Sequence, residues 1–296
     1  MKSIMTYVKN PGTVIISMNN HGLLSWMNDK ANIKLIYYLR TGEKLRLDDP
    51  KSFNEKLQWL KVYDHNPRYT NLVDKIEAKR LIGEIIGNQY IVPLYGVWER
   101  AEDIDFSILP DKYVLKCNHD QGSVIVISDS NKVNNTEIIS FFKSRLKKRV
   151  YTACREYAYK GIKPKVFAEE YLGEAICDYK FYCFNGEPKF LYVSQGIERE
   201  GTLKIDFFDM EWNPMPFYRT DHLRLGTMPC PTHFDEMKEI ARKLSKGTKF
   251  VRIDLFEEKG KVYFSEFTLL PASGFAKFEP PETDSILGEW LNLKDK

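Results

Sequence analysis

The sequence predicts an α+β protein in which antiparallel strand hairpins and single amphipathic helices pack as layers. Short strand patterns run over residues 90 to 128 and 165 to 196, and helical patterns stand singly between and around them. At 296 residues the chain is long enough for a large core and for two or three subdomains. We expect an N-terminal region over residues 1–70, a small subdomain over 71–168 and a large one over 169–296.

Composition is that of an ordinary globular protein. Charged residues make up 29% and hydrophobic residues 43%, which argues against extensive disorder. The net charge of +3 is too small to indicate a nucleic-acid partner. We find no secretory signal and no apolar run approaching ~20 residues. These features predict a cytoplasmic protein, whose oligomeric state the sequence does not reveal.

The five cysteines are scattered and lack CxxC spacing, which predicts neither a zinc site nor a disulfide framework. Reduced intracellular thiols are the simpler interpretation. The cysteines are Cys117, Cys154, Cys177, Cys183 and Cys230.

Three helices are predicted before the first strand. The first lies within residues 26 to 42 and ends at a glycine. The second follows Ser52 and Glu55, which have capping-box spacing. The third is a single helix over residues 71 to 87, closed by a glycine.

Short strands follow from Tyr90, and the polar loop "NHDQGS" joins two of them in a predicted hairpin. Residues 135 to 159 then predict one long helix. Its basic cluster has two interpretations: a solvated face, which we favour, or weak contact with an anionic partner such as the inner face of the bacterial membrane. The cluster consists of Lys143, Arg145, Lys147, Lys148 and Arg149.

A hairpin around Asn185-Gly186 is predicted by this preferred type I′ turn pair and by alternation on both flanks. An amphipathic helix follows over residues 231 to 247, and then the hairpin "FVRIDLFEEKGKVYFSEFT". Alternation places Asp254 on one face of its first strand, and Glu266 on one face of its second.

An odd-numbered loop "EEKGK" would put Asp254 and Glu266 on the same side, whereas a two- or four-residue loop would separate them. Two carboxylates on one sheet face repel unless a cation lies between them or one is protonated. Mg²⁺ suits such oxygen ligands, with Thr268 or water completing the shell. The alternative is an edge hairpin whose carboxylates pair with Arg252 and a lysine.

Walker, Rossmann, HExxH and GxSxG motifs are all absent. What remains is a spaced set that suits a nucleotide site without a Walker loop. Two lysines neutralise phosphates, a glycine loop offers N–H groups, a strand exit hydrogen-bonds adenine, and carboxylates hold magnesium. The set comprises Lys75, Lys116, the loop to Gly122, the exit at Glu169 to Leu172, and the last hairpin.

At these residues the sequence resembles the ATP-grasp superfamily, and more closely its TupA-like family, named for teichuronopeptide biosynthesis. The resemblance lies in "SFNEKLQWLKVYD", "VDKIEAK", "YVLKCNHDQGS", "EEYLG", "DYKFYCFNGEP" and "VRIDLFEEKGKVYFSEFTLLPASGF", in family order over residues 40 to 280. It implies an ATP-grasp fold with ATP and Mg²⁺ clamped between two α+β subdomains, after an N-terminal helical or mixed region.

The resemblance also implies roles for individual residues. Lys75 and Lys116 would bind the phosphates under a lid formed by Gly122 and Ser123. Glu169 would bind the adenine amino group, with hinge contacts from Glu170, Tyr171 and Leu172, and Asp178 or Lys180 near the ribose and phosphates. Asp254 and Glu266 match the magnesium ligands, and Arg252 matches the catalytic arginine.

Two positions depart from the family pattern. Thr268 stands where many ATP-grasp enzymes have an asparagine as third metal ligand, which leaves the number of metals open. The loop before Ser123 also carries one glycine where richer loops are usual.

The function implied is an ATP-dependent ligase that joins an amino acid to a uronic acid or glutamate of a cell-surface polysaccharide through an acyl phosphate. A kinase of surface-polysaccharide biosynthesis, an enzyme of the kind labelled glycosyltransferase in this family, and a non-catalytic glycan-binding protein are the alternatives. Three further residues stay open: His119 as loop residue or acid–base catalyst, Ser273 as turn residue or acceptor contact, and Arg199 as solvated or substrate-binding.

Overall fold

Two antiparallel-rich sheets form the framework of the chain in this computed structural model, which describes residues 11–129, 133–173, 176–195 and 202–294. The α+β prediction is confirmed. The smaller sheet has the order β1-β4-β2-β3, and the larger has the order β11-β10-β5-β6-β7-β9. The small-sheet strands are β1 Leu94–Trp98, β2 Tyr113–Cys117, β3 Val124–Ile127 and β4 Val166–Glu170. The large-sheet strands are β5 Asp178–Phe184, β6 Glu187–Gln195, β7 Lys204–Asp209, β9 Leu223–Arg224, β10 Phe250–Glu258 and β11 Lys261–Thr268.

A third, two-stranded ladder pairs β8 with β12, and helices cover the sheets. The ladder strands are β8 Tyr218–Arg219 and β12 Phe278–Glu279. The helices are α1 Pro11–Asn20, α2 Asp29–Thr41, α3 Phe53–Tyr63, α4 Arg68–Val73, α5 Lys75–Ile85, α6 Asn135–Arg145, α7 Val150–Cys154, α8 Phe234–Ser245 and α9 Thr283–Trp290.

The capping box at the start of α3 is confirmed: the Ser52 hydroxyl accepts from the Glu55 backbone N–H, and the Glu55 carboxylate accepts from the Ser52 N–H. The Asn185-Gly186 turn is confirmed as well, since both residues have positive φ as a type I′ turn requires. Two helix predictions are wrong. Residues 71 to 87 divide at Asp74, whose extended backbone ends α4 and whose carboxylate caps α5. Residues 135 to 159 contain two helices, α6 and α7, instead of one.

Two apolar cores lie under the two sheets. The core of the smaller sheet draws on residues between 101 and 168, including Leu115 and Phe142. The core of the larger sheet includes Ile82 of α5, together with residues of α3, α4, α8 and strands β5, β6, β7, β10 and β11. Helix α5 therefore packs with the larger sheet, although the sequence division placed it in the small subdomain. The boundaries at residues 70 and 168 themselves stay a prediction.

The turn of the β10–β11 hairpin is shorter than the odd-numbered loop considered above, but Asp254 and Glu266 still lie side by side. Its loop has only two residues, Lys259 and Gly260, both at positive φ, and such a loop alone would separate Asp254 from Glu266. A β-bulge between Asp254 and Leu255 shifts the register by one residue, so that Asp254 lies opposite Glu266. The bulge explains why Phe264 lies in the core although it precedes Glu266 by two residues.

No helix in the described ranges is both long and apolar enough to cross a membrane.

Gly288 of α9 generates a stability prediction. A Cβ at this position would lie 2.0 Å from the Lys51 carbonyl oxygen, which is backbone that cannot rotate away. We expect Gly288→Ala to lower the free energy of unfolding by about 1–3 kcal/mol, measured by urea denaturation. Gly161→Ala is the matched control, since its Cβ would meet Thr70 at an ordinary 3.7 Å. Equal stability of the two variants would contradict this packing of α9 on the start of α3.

Candidate functional site

Two rows of polar side chains cross the larger sheet where β5, β10 and β11 run side by side. In one row Lys180, Asp254 and Glu266 pair directly across the three strands. In the next row, two residues along β10, Arg252 pairs with Tyr182 and Thr268. Because residues two apart on a strand share a face, both rows lie on the same face of the sheet.

Asp254 is the fully buried centre of these rows, with 0% of its surface exposed. Arg252 donates to both of its oxygens at 2.6 Å, and Lys180 donates to Oδ2 at 2.8 Å. Burial opposes ionisation, but Arg252 and Lys180 outweigh it and lower the pKa of Asp254. The Asp254 carboxylate is therefore ionised and held in one orientation. Its pairing with Arg252 and a lysine is the arrangement that the edge-hairpin alternative predicted.

Glu266 is the more accessible carboxylate of the pair. Its oxygens lie 3.5 Å from Lys75 and 3.5 Å from Arg252, with 23% of its side chain exposed. Asp178 adds a third carboxylate, 3.2 Å from Lys180. Burial raises the pKa of Asp178, and the charges of Asp254 and Glu266 raise it further. The face thus concentrates negative charge that cations stabilise.

A second charged group lies where α5 meets the smaller sheet. The buried Glu169 carboxylate of β4 contacts Lys116 of β2 and Lys79 of α5, the latter at 2.9 Å. Burial opposes its ionisation, but Lys116 and Lys79 outweigh this and lower the pKa of Glu169. Glu169 also raises the pKa of Lys116 against the effect of burial, with smaller contributions from Glu266 and Asp178. The two groups therefore lie close enough to interact.

The loop between β2 and β3 connects to the first group through Lys75, which donates to the Asp120 carbonyl at 2.8 Å and lies 3.5 Å from Glu266. Gly122 has φ +75, a conformation that favours glycine. Ser123 is buried and donates to Asp120 Oδ2 at 2.5 Å, so its hydroxyl faces the loop interior. A lid role for Gly122 and Ser123 stays a prediction.

The strand exit after β4 lies on the border of the smaller sheet. Glu170 is half-buried, on the strand face opposite Glu169, and Leu172 is buried. Tyr171 is half-buried between them. Since Glu169 is already held by two ammonium groups, its contact with adenine, like the hinge roles of the other three, stays a prediction.

The residues present fit a hard divalent cation. Asp254 and Glu266 offer carboxylate oxygens side by side, and the Thr268 hydroxyl is buried with no hydrogen-bond partner among the described residues. An orphaned buried hydroxyl costs about 1–3 kcal/mol unless something satisfies it. An all-oxygen donor set is the type that Mg²⁺ selects.

Sequence reasoning missed two contributors. Lys79 shares a helix face with Lys75 four residues earlier, and this spacing was the available signal. Tyr192 pairs with Lys180 and accepts from Arg252 at 3.3 Å, which only the register of β5 and β6 reveals. Arg199 lies outside the described residues.

A buried network adjoins the site beyond β11. Lys61 donates to the Ser273 hydroxyl at 2.9 Å, and that hydroxyl donates to Glu156 at 2.8 Å. Ser273 and Ala272 both have positive φ, which is strained for residues other than glycine. A cavity of about 150 Å³ opens beside them, lined also by Arg40, Gln58, Asn19 and Asn32.

Comparisons with known proteins identify the group to which the chain is similar. The family model described as TupA-like ATPgrasp matches residues 55–292. None of the curated protein sequences matches the chain.

Solved structures give weaker similarities. D-alanine–D-alanine ligase from Bacillus anthracis is 16% identical, with a TM-score of 0.43 over 73% of this chain and 62% of that one. L-amino acid ligase from Bacillus licheniformis is 12% identical, with a TM-score of 0.47 over 84% of this chain and 57% of that one. The chain therefore spans less than two thirds of the length of either ligase.

The ion pairs of Glu169 with Lys79 and Lys116 lead to a second prediction. Glu169→Gln leaves two buried ammonium groups without a counter-charge, so we expect it to lower the free energy of unfolding by about 3–5 kcal/mol at pH 7. Glu170→Gln, on the opposite strand face, is the control and should change it by no more than about 0.5 kcal/mol. Urea denaturation of the three proteins measures the difference.

The pH dependence follows from the lowered pKa of Glu169. Its stabilisation is present above the unfolded carboxylate value of about 4.3 and is lost as pH falls through the lower folded value. The gap between wild type and Glu169→Gln should therefore narrow in acid. A gap that stays constant down to the lowest pH at which the protein folds would refute these ion pairs.

Proposed function

The chain belongs to the TupA-like ATP-grasp family and has its α+β fold, and from this premise we propose that it is an ATP- and Mg²⁺-dependent carboxylate–amine ligase. ATP phosphorylates a carboxylate, and an amine then attacks the acyl phosphate to give an amide, ADP and phosphate. The proposed substrates are a uronic acid or glutamate of a cell-surface polysaccharide and an amino acid.

One observation carries the proposal: the row of Lys180, Asp254 and Glu266 beside Arg252 on one face of the larger sheet. Such a face can hold both a divalent ion and the charge that develops on a transferred phosphoryl group. Mg²⁺, when bound, supplies neutralisation of phosphate charge. Asp254, Glu266 and Thr268 are the residues that would hold it.

The remaining cationic side chains would orient the substrates and neutralise the charge of the phosphates. Lys75 reaches from α5 toward Glu266 and the loop, and Lys116 lies beside Glu169 on the smaller sheet. In this proposal both lysines would bind phosphates that enter between the sheets. Arg252 stays charged at any relevant pH, because Asp254 outweighs burial and raises its pKa, and it supplies a fixed positive charge to the carboxyl being activated.

We assign the acceptor to the cavity beside Ser273. Ser273 lies five residues beyond Thr268, and its hydroxyl donates to Glu156 at 2.8 Å. Arg40 lines the cavity and provides a cation for an anionic acceptor. Weak attachment to an anionic membrane through residues 147–149, which are exposed, fits a lipid-linked acceptor.

The reaction is tested by incubating the protein with ATP, Mg²⁺, a uronic-acid glycan and pooled amino acids. We expect ADP, free phosphate and a product whose mass corresponds to one amide bond. A phosphorylated sugar without free phosphate would instead identify a kinase, and absence of ADP with every acceptor would refute an enzymatic role under these conditions.

Glu266→Gln tests the metal assignment. We expect it to reduce ADP release by about 100-fold or more, because it removes one proposed metal ligand. Glu266 is a cleaner choice than Asp254, whose replacement would leave two buried cations unpaired and unfold the site. Glu258→Gln, near the hairpin turn, is the matched control and should keep full activity. Equal activity of Glu266→Gln and Glu258→Gln would rule out the ligand role.

Arg40→Ala tests the acceptor cavity. If Arg40 binds the acceptor in both ground and transition states, KM for the acceptor rises about 10-fold or more while kcat is unchanged. Lys34→Ala, an exposed cation on the same helix, is the control. An unchanged KM in Arg40→Ala would place the acceptor elsewhere, with the ligase reaction itself unaffected.

A further inference from the structure

A second cluster of potential ligands lies at the base of the β2–β3 loop, apart from the carboxylates proposed to bind magnesium. Cys117, His119 and Asp120 are all buried, and one donor atom from each lies within 4.8 Å of the others. Within the described ranges this is the one group of three such side chains that meets that distance. The donors are sulfur, imidazole nitrogen and carboxylate oxygen.

The cluster contains buried polar atoms that make no hydrogen bond of good geometry within the described chain. Neither ring nitrogen of His119 makes a hydrogen bond of good geometry, although the residue is only 4% exposed and backbone groups of Arg145 and Lys148 lie near the ring. Asp120 Oδ1 also lacks a partner, in a residue that is 4% exposed. Each unsatisfied buried group costs about 1–3 kcal/mol. Three such atoms in two adjacent residues point to a ligand that satisfies them together.

The surroundings hold the donors in position. Ser123 donates to Asp120 Oδ2 at 2.5 Å, and Lys148 lies 4.0 Å from that oxygen, so the partnerless Oδ1 is the one left to bind. Asn118, between the donors, is fixed by the Lys165 N–H at 2.7 Å and by the Lys163 carbonyl at 3.1 Å. Outer contacts that orient donors in this way are characteristic of metal sites.

We propose that Cys117, His119 and Asp120 bind a zinc ion. A thiolate, an imidazole and a carboxylate form a donor set that suits zinc and that Mg²⁺ does not select. The thiolate and carboxylate together balance the two positive charges. Three protein ligands leave the fourth tetrahedral position to water or to an oxygen of a bound anion.

The protonation states of Cys117 and His119 are compatible with zinc binding. Burial raises the pKa of the Cys117 thiol to about 12, so the metal-free protein keeps the proton on sulfur. Binding breaks the S–H bond, forms the sulfur–zinc bond and releases one proton to the buffer. Burial, with a smaller effect of the Lys75 charge, lowers the pKa of His119, so the imidazole is neutral and ready to ligate.

The site differs from the proposed magnesium site in chemistry and position. Its three ligands fall within four residues of one strand end and loop, so the ion closes a very small loop and fixes the backbone of residues 117–120. That backbone includes the Asp120 carbonyl to which Lys75 donates. Zinc would thus set the position of Lys75 at the phosphates without entering the reaction.

Cobalt(II), which replaces zinc and reports its ligands by absorption, tests the proposal on the full-length protein. Metal is first stripped with a chelator, and cobalt is then titrated in. We expect one equivalent to bind with a near-ultraviolet thiolate-to-cobalt charge-transfer band and visible bands of tetrahedral intensity. Zinc should abolish both by displacement, and Mg²⁺ at the same excess should not. Each zinc bound should release one proton in weakly buffered solution.

The variants separate this site from others. Cys117→Ser should lose the charge-transfer band, and His119→Ala should weaken cobalt binding by at least 10-fold. Cys230→Ser and His21→Ala are the matched controls, since both residues are exposed and distant in sequence, and they should behave as wild type. Circular dichroism confirms that each variant is folded.

Wild type that binds no stoichiometric cobalt or zinc overturns the proposal, whether or not Cys117→Ser folds. A charge-transfer band that persists in folded Cys117→Ser, or that disappears in Cys230→Ser, overturns it as well. The outcome is independent of ligase activity, because no substrate is present. Loss of amide formation with intact cobalt spectra would refute the proposed function alone.

Discussion

The site depends on the buried Asp254 carboxylate and on the two cations that hold it. A single ionised group with no exposed surface would be strongly destabilising, yet Arg252 and Lys180 contact it from its own strand and from the neighbouring one. The sheet register makes this possible, because β5 and β10 bring Lys180 directly opposite Asp254. Removing any one of the three would leave the others uncompensated, so the interaction constrains the three residues together.

Helix α5 links the charged groups of the two sheets, because it contacts Glu266 on the larger sheet and Glu169 on the smaller one. Ile82 packs in the core of the larger sheet, and Lys75 and Lys79 precede it by seven and three residues on the same side of the helix. Since the two lysines are one helical turn apart, they reach different partners: Lys75 contacts Glu266 and the loop, and Lys79 contacts Glu169. One rigid turn of helix therefore fixes the spacing between the two charged groups.

Alternation along β10 and β11 predicted that Asp254 and Glu266 converge only if an odd-numbered loop joined the two strands. The capping box and the Asn185-Gly186 turn could be predicted because each depends on residues close in the sequence. The β-bulge that brings the two carboxylates side by side could not be predicted from the sequence. A bulge leaves no composition signal in a strand, and here it compensates for a two-residue turn that alternation alone would have taken as evidence against the pairing. Asp74 likewise ends one helix and caps the next, a double role that the helical periodicity on both sides conceals.

The same limit explains why the sequence did not predict the cluster of Cys117, His119 and Asp120. CxxC spacing was the signal sought, whereas these donors converge because the strand ends at Cys117 and the chain turns back at once through a loop pinned at Asn118. The buried atoms without partners are the more direct sign. Five such side-chain atoms occur in the described residues, and four of them belong to His119, Asp120 and Thr268. Lys75 touches the Asp120 backbone on one side and Glu266, two residues before Thr268, on the other. Unmet hydrogen-bonding capacity is therefore concentrated around one lysine between the sheets, where bound ligands can satisfy what the fold alone leaves unpaired.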